Sequence, residues 1–120
     1  MKRMLSILLM LMLVPCAALA EEEDDPVTPM YELTMAHGFR FGGALSYMQL
    51  WDANYLTFLK THCNSITATN EMKAYSLLDQ SKSRASSDGM PRMNFSAADK
   101  MVAWAQENGL GVRGHVLVWD

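Results

Sequence analysis

From residue 30 onward, the chain alternates between short apolar runs and longer stretches in which apolar residues recur every three or four positions. The short runs, at residues 39–42, 64–68 and 111–119, predict β-strands. The spaced patterns, at residues 51–59 and 96–108, predict amphipathic helices. Strand, helix, strand, helix, strand is the order that produces a parallel sheet with right-handed crossovers. The pattern therefore predicts an α/β fold.

The predicted helix at residues 51–59 has a stripe of large apolar side chains at positions i, i+4, i+7 and i+8, and we expect all of them to pack in the core. They are Trp51, Tyr55, Phe58 and Leu59. A shorter helix is predicted before the first strand and ends at Gly38. Gly42 and Gly43, at the end of the first predicted strand, allow another group to approach the backbone closely.

The predicted helix at residues 96–108 has recognisable signals at both ends. Ser96 and Asp99 have the spacing of a capping box, and Gly109 follows the last turn. Turn-forming residues between positions 79 and 95 indicate a loop before this helix. Three side chains share the face that we expect to be buried, and they are Met101, Trp104 and Ala105.

The first twenty residues have the organisation of a secretory signal peptide. Lys2 and Arg3 precede an apolar segment that is too short to span a membrane, and Ala18-Leu19-Ala20 fits an A-x-A cleavage site. We expect the mature chain to begin at Glu21. The predicted location is therefore outside the cytoplasm, either extracellular or periplasmic.

Removal of residues 1–20 changes the charge and the cysteine content. It takes away two of the ten basic residues and none of the thirteen acidic ones, so eight basic residues face thirteen acidic ones and the net charge is −5. This charge argues against nucleic acid or an anionic membrane surface as a partner. Cys16 leaves with the signal, so Cys63 has no intrachain disulfide partner and is predicted to be a small core residue.

Residues 21–29 separate the signal from the apolar patterns. Five acidic side chains and two prolines in this segment predict a solvated linker that opposes helix formation. An acidic tail with a function of its own is the alternative. Residues 30–120 then belong to a single domain.

Two polar side chains directly follow the second predicted strand, and two further candidates for ligand binding lie within the third. Asn70 and Lys73 come directly after the second strand, and His115 and Trp119 belong to the third. Because the C-terminal ends of parallel strands form the ligand edge of such sheets, we expect these residues to face one crevice. An amide, an ammonium, an imidazole and a flat indole suit a neutral, hydroxyl-rich ring.

Other ligands fit these residues less well. His115 and Asp120 lack a third ligand at useful spacing for a metal. A phosphate site requires a glycine-rich turn at a helix start, and none follows the second or third strand. We therefore expect neither a metal nor a cofactor.

Each candidate side chain also has an ordinary structural explanation. Lys73 suits a solvated helix lysine, and His115 suits a hydrogen-bonded core histidine. Glu71 suits a carboxylate that stabilises the first turn of a helix through its dipole. Taken singly, none of these residues decides between the two interpretations.

Three segments together resemble the N-terminal third of an endo-1,4-β-xylanase of glycoside hydrolase family 10. They read "GFRFGGAL", "NSITATNEMK" and "ADKMVAWAQENGLGVRGHVLVW", in this order and at the separations typical of that family. The resemblance covers residues 31–120. It implies a (β/α)8 TIM barrel, of which this chain holds about the first three strands. It also implies hydrolysis of internal β-1,4-xylosidic bonds of xylan with retention of configuration.

The resemblance assigns roles to the four site candidates. Asn70 and Lys73 match residues that hydrogen-bond the sugars on the non-reducing side of the cleaved bond. His115 matches a histidine that contacts the sugar next to that bond, and Trp119 matches a tryptophan that lines the same subsite. The implied partners are xylan and xylo-oligosaccharides, and the complete protein is expected to be a monomer.

Two positions depart from the pattern of the family. Thr69 stands where many members have a Glu immediately before the Asn, and Asp120 stands where a His commonly follows the Trp. The replacement of Glu by Thr69 affects the pair of hydrogen bonds that a carboxylate at this position can make to a sugar hydroxyl. The replacement of His by Asp120 affects the surroundings of the acid/base.

The resemblance places no catalytic carboxylate within this chain. Retaining hydrolysis needs two carboxylates roughly 5–5.5 Å apart, and in the family they follow the fourth and seventh strands. We therefore expect none of Glu71, Asp79 and Asp120 to be catalytic. Because a (β/α)8 barrel takes about 250 residues, we expect the chain to be an incomplete, inactive fragment. A non-catalytic carbohydrate-binding or decayed product is the alternative.

Overall fold

A computed structural model of the protein describes residues 27–116 and residue 118. The predicted signal peptide, the acidic part of the predicted linker up to residue 26, and both Trp119 and Asp120 lie outside the described residues. Val27 and Thr28 are exposed, and Pro29 directly precedes the first helix.

Three strands form one parallel sheet in the order β1-β2-β3. Their bounds are Gly42–Leu45 for β1, Ser65–Ala68 for β2 and Gly111–Arg113 for β3. Ser65 at the start of β2 pairs with Gly42 on one side and with Gly111 on the other. The strands are connected by helices, so the predicted α/β fold with a parallel sheet is confirmed. The described sheet is open and does not close into a barrel.

Helices occupy most of the described chain between the strands. The α-helices are α1 Met30–Met35, α2 Ala53–His62, α3 Ala74–Leu77, α4 Gln80–Ala85 and α5 Ser96–Glu107, and a 3₁₀ helix spans Tyr47–Trp51. Across the part of the chain that the structure describes, no helix combines the length and the apolar character needed to cross a bilayer.

The ends of the helices follow from local chemistry. The Asp52 carboxylate accepts a hydrogen bond from the Tyr55 amide at 3.0 Å and so caps the start of α2. Gly109 has a φ of +70°, the left-handed conformation that commonly follows a helix, and it ends α5 as predicted. The predicted capping box of α5 is wrong. Ser96 lies inside the helix, and its hydroxyl donates to Asn94 Oδ1 at 2.6 Å instead.

One hydrophobic core lies between the sheet and the two long helices. Its fully buried members are Leu45, Leu59, Ile66, Met101 and Ala105. Cys63 is also buried in this cluster, as predicted. At Gly43 a Cβ atom would overlap the side chain of Leu59, so the glycine permits the close approach of α2 to β1 that its position in the sequence suggested.

The predicted bounds of β1 and β3 are wrong. β1 begins at Gly42, three residues later than predicted, because the Phe39 amide donates back to Thr34 at the end of α1 and pairing with β2 starts at the glycines. The third strand ends at Arg113, and Gly114 to Val116 follow without strand structure. A nearly continuous apolar run such as residues 111–119 predicts a strand that is buried on both faces, but Val112 is 37% exposed, so this prediction is also wrong for the described residues.

The predicted burial of two aromatic residues is wrong. Trp51 is 65% exposed and Phe58 is 43% exposed, whereas Leu59 is fully buried and Tyr55 is half-buried. Trp51 belongs to the 3₁₀ helix, which has about three residues per turn, so its position does not continue the face of α2.

The segment at residues 79–95 is more ordered than the predicted loop. It contains α4, and Leu78 forms an isolated antiparallel bridge with Met93. Asp79 caps α4 by accepting a hydrogen bond from the Lys82 amide at 3.0 Å. The serine-rich composition that predicted a loop also supplies helix-capping groups.

Replacement of Ile66 by Ala should destabilise the complete protein by about 2–5 kcal/mol, because it leaves a cavity at a fully buried position of the central strand. Urea denaturation of the wild type and the variant measures this loss. Met90→Ala, at a position that is 59% exposed, serves as a control and should change stability by under about 0.5 kcal/mol. Equal effects of the two substitutions would contradict the assigned core.

Candidate functional site

The C-terminal ends of β1 and β2 lead into two loops that lie side by side. The Thr69 amide donates to the Leu45 carbonyl at 3.0 Å, which joins the two strand ends. Directly afterwards the chain turns, because the Lys73 amide donates to the Asn70 carbonyl at 2.9 Å. Residues 69–73 therefore form a short connection between β2 and α3 at the C-terminal edge of the sheet. This placement confirms the predicted position of the polar cluster.

Asn70 lies at the centre of a side-chain network. Its Oδ1 atom accepts hydrogen bonds from Lys73 Nζ at 3.0 Å and from the Tyr75 hydroxyl at 2.9 Å. Because an ammonium group can only donate, the atom that contacts Lys73 must be the amide oxygen. The amide nitrogen of Asn70 therefore points away from Lys73 and can donate to a ligand.

Lys73 is half-buried and contacts Asn70. This contact does not contradict the interpretation of Lys73 as a solvated lysine, because the hydrogen bond between the two side chains is exposed to solvent. Its backbone lies at the N-cap of α3, and its carbonyl accepts from the Ser76 and Leu77 amides at 2.9 and 3.1 Å. The side chain is thus held at the edge of the sheet by the turn that precedes α3.

Glu71 connects the two loops. Its Oε1 accepts from the Tyr47 amide at 2.7 Å, and its Oε2 accepts from the Asn70 amide at 3.0 Å and from the Thr69 hydroxyl at 3.4 Å. Glu71 therefore does contact a helix terminus, because Tyr47 is the first residue of the 3₁₀ helix, but this helix is not α3, which follows Glu71 in the chain. The carboxylate fixes the backbone of Asn70 relative to the loop after β1.

The environment of Glu71 sets its ionisation. Partial burial alone would raise its pKa, but the hydrogen bonds from the Tyr47 and Asn70 amides outweigh burial and bring the pKa below its ordinary value. Glu71 is thus an ionised acceptor near neutral pH and is poorly suited to donate a proton. This state agrees with the expectation that it is not the catalytic acid.

The Asp79 carboxylate also has a structural role. Hydrogen bonds from the Lys82 amide and from the Ser81 hydroxyl lower its pKa to about 2. Its carboxylate also pairs with the Lys82 ammonium at 3.1 Å. Within residues 27–116 and at residue 118, no three His, Cys, Asp or Glu side chains form a group that could hold a metal ion.

Tyr47 connects the site to α5. Its hydroxyl accepts a hydrogen bond from Lys100 Nζ at 3.0 Å, and the same ammonium lies 5.5 Å from the centre of the Tyr47 ring. Trp51 packs edge-on against this ring, with the centroids 5.0 Å apart. Tyr47, Lys100 and Tyr75 were missed by the sequence analysis. The position of Tyr75 in the sequence, two residues after Lys73, could have indicated that it lies near the site.

Of the four predicted site residues, Asn70 and Lys73 contact each other in the structure. His115 is half-buried and follows the end of β3 by two residues. Since β3 is parallel to β2, His115 lies at the same edge of the sheet as the Asn70 loop. Trp119 lies outside the described residues, so its predicted role stays a prediction.

Comparison with known proteins identifies a family that matches most of the chain. The family model for Glycosyl hydrolase family 10 matches residues 30–120. Endo-1,4-beta-xylanase A of Thermotoga maritima is 34% identical over 99 residues, which are 82% of this chain and 9% of that protein. Beta-1,4-xylanase of Dictyoglomus thermophilum is 32% identical over 116 residues, or 96% of this chain and 30% of that protein. The chain thus spans less than a third of either relative.

Solved structures show the same similarity. The endo-1,4-beta-D-xylanase 10B of Clostridium thermocellum, complexed with xylohexaose, is 31% identical and has a TM-score of 0.62 over 78% of this chain and 17% of that one. Xylanase 10B of Thermotoga petrophila, in complex with xylobiose, is 28% identical with a TM-score of 0.62, over 78% of this chain and 27% of that one. These neighbours are (β/α)8 barrels, and the described sheet is a partial form of that fold.

One similar protein carries a different kind of name. The anti-sigma-I factor RsgI6 of Acetivibrio thermocellus is 31% identical over 84 residues, or 70% of this chain and 10% of that protein. Similarity in this segment is therefore shared by proteins that are named for different activities.

Replacement of Glu71 by Gln in the complete protein should cost on the order of 1–3 kcal/mol of stability at neutral pH. Gln keeps one acceptor oxygen and brings an amide N–H₂ against a backbone donor. Urea denaturation measures the loss. Glu107→Gln, at an exposed position near the end of α5, is the matched control and should have little effect.

The stability difference between wild type and Glu71→Gln should depend on pH. Because the folded-state pKa of Glu71 is lowered, its contribution is present above the ordinary carboxyl pKa and is lost as pH falls through the lowered value. The difference should therefore shrink on acidification. A difference that is constant from neutral to acidic pH would contradict a role for the ionised carboxylate.

Proposed function

This chain belongs to glycosyl hydrolase family 10, and we propose that the protein is an endo-1,4-β-xylanase that hydrolyses internal β-1,4 bonds of xylan. Two findings support this proposal: the family match over residues 30–120 and the xylanase names of similar proteins that cover most of the chain. The observation that carries it is the hydrogen-bonded pair of Asn70 and Lys73 at the C-terminal end of β2. That edge is where ligands bind in barrels of this type.

In this proposal Asn70 and Lys73 hold the sugars on the non-reducing side of the cleaved bond. An amide nitrogen and an ammonium supply donors to the hydroxyl oxygens of a neutral sugar, and both side chains are positioned by the turn after β2. His115 contacts the sugar next to the cleaved bond, and Trp119 lines the same subsite. A titratable carboxylate is not required among these four residues, because their task is to bind and orient the substrate.

The proposed hydrolysis proceeds with retention of configuration. One carboxylate attacks the anomeric carbon while a second protonates the departing oxygen, and water then releases the covalently bound sugar. In this proposal Glu71 and Asp79 do not belong to the pair, because both carboxylates accept structural hydrogen bonds. The pair follows the fourth and seventh strands of the barrel, as the resemblance to the family implies, whereas this chain contributes about the first three.

The proposed protein is secreted, with residues 1–20 as the signal peptide. The support is the sequence organisation of this segment, with two basic residues, an apolar stretch and an A-x-A site. Sequencing of the N-terminus of the exported protein tests the proposal. A first residue at Glu21 is expected, and retention of Met1 would contradict it.

A second candidate function is non-catalytic binding of xylan. Its support is the similarity to a protein named an anti-sigma-I factor, since the matched segment there accompanies a different name. Release of reducing sugar from soluble xylan by the complete protein separates the two candidates. Hydrolysis with the β-anomer formed first, observed by proton NMR, supports the retaining xylanase. Binding of xylohexaose without hydrolysis would favour the binding function.

Replacement of Lys73 by Met in the complete protein should lower kcat/KM on xylotriose and xylan by about tenfold or more, because a charge-assisted hydrogen bond to substrate contributes about 1.5–3 kcal/mol. Met keeps most of the apolar stem, so the melting temperature should change little. Steady-state kinetics and a thermal melt provide the two measurements.

Lys60→Met is the matched control for this experiment, since Lys60 is exposed in the last turn of α2. Its kinetics should equal those of the wild type. A large fall in the melting temperature of Lys73→Met with unchanged kinetics would assign Lys73 to folding instead.

A further inference from the structure

We propose that Tyr75 is a positioning residue whose hydroxyl fixes the side-chain amide of Asn70, so that the amide nitrogen faces the substrate. This inference rests on the proposed function and extends it to a residue outside the predicted site. Tyr75 lies in α3, and its hydroxyl donates to Asn70 Oδ1 at 2.9 Å.

The orientation of the Asn70 amide is set by two donors that share one oxygen. Lys73 Nζ and the Tyr75 hydroxyl both donate to Oδ1, and a carbonyl oxygen has two lone pairs. The two contacts therefore use the full accepting capacity of Oδ1. Rotation of the amide by half a turn would place its N–H₂ group against the Lys73 ammonium, which can only donate, and would require the Tyr75 hydroxyl to accept instead of donate.

Lys73 alone is a weak support for this orientation. A lysine has a flexible four-carbon stem, and in the proposed function its ammonium also contacts the sugar. When the ammonium shifts toward the substrate, its hold on Asn70 weakens. The Tyr75 hydroxyl provides a second hydrogen bond to Asn70 Oδ1, which keeps the amide in place when the lysine moves.

Tyr75 is suited to this task because its side chain and its helix are both restrained. A tyrosine has two rotatable side-chain bonds and a rigid ring. α3 is anchored by buried Leu77, whose carbonyl accepts from the Asn94 amide at 2.7 Å. The Tyr75 side chain is 58% exposed, so removal of its hydroxyl leaves the core intact.

The fixed amide makes Asn70 a hydrogen-bond donor toward its ligand. The sugar atom that it recognises must then act as an acceptor, which a hydroxyl or ether oxygen can do. Asn70→Asp keeps an acceptor for Lys73 and Tyr75 but removes the donor. We therefore expect this variant to bind xylotriose less tightly, even though its contact with Lys73 gains charge.

The test is Tyr75→Phe in the complete protein, which removes the hydroxyl and keeps the ring. KM for xylotriose should rise by about two- to tenfold, the equivalent of one neutral hydrogen bond. The value of kcat should change less than KM, and the melting temperature should stay close to that of the wild type. Tyr31→Phe, in α1, is the matched control and should have wild-type kinetics.

A second readout reports on Asn70 directly. The side-chain amide resonances of Asn70, assigned by their loss in Asn70→Asp, should shift in Tyr75→Phe and stay in place in Tyr31→Phe. Unchanged resonances together with an unchanged KM would overturn the inference while the proposed function stands.

Failure of the proposed function gives a different result. If the wild type hydrolyses no xylan, the proposed enzyme activity is overturned, and calorimetric titration with xylotriose decides the inference. Weaker binding by Tyr75→Phe than by the wild type and Tyr31→Phe would still support it. Equal binding by all three proteins, or no binding by any, would overturn it.

Discussion

Hydrogen bonding of β2 along both of its edges is the constraint on which the rest of the described structure depends. Ser65 pairs with Gly42 on one side and Gly111 on the other, which sets the register of all three strands. The same strand directs Ile66 and Ala68 into the core, against α5 and β1. Since all three strands run in one direction, their C-terminal ends lie at one edge of the sheet, and both Asn70 after β2 and His115 after β3 follow strands that end there.

A carboxylate then links the end of β1 to the Asn70 loop. Glu71 accepts backbone hydrogen bonds from both loops, so the position of Asn70 is tied to the end of β1 as well as to its own strand. Asn70 in turn accepts from Lys73 and Tyr75. The site thus consists of a backbone frame held by an ionised side chain and the hydrogen-bonded pair of Asn70 and Lys73, which we propose donates to the sugar. This division separates residues that hold the site from residues proposed to touch the substrate.

The sequence predicted the parts of the fold that depend on local pattern. The β-prone run around Ile66, the polar cluster after it and the glycine that ends α5 all lie where the pattern placed them. The start of β1 was wrong because strand pairing there uses the backbone of two glycines, which a pattern of apolar side chains does not reveal. The contacts of Glu71 were also beyond prediction, since its partner Tyr47 is 24 residues away and meets it only through the fold.

A crystal structure of the complete protein with xylotriose bound would show directly whether Asn70 and Lys73 hold the sugar. We expect a sugar at the C-terminal edge of β2, with Asn70 Nδ2 and Lys73 Nζ each about 2.7–3.2 Å from a sugar oxygen. We also expect Asn70 Oδ1 to accept a hydrogen bond from Tyr75 in the complex. A xylotriose molecule bound away from this edge, or an Asn70 amide turned with its oxygen toward the sugar, would show that these two residues do not bind the substrate as proposed.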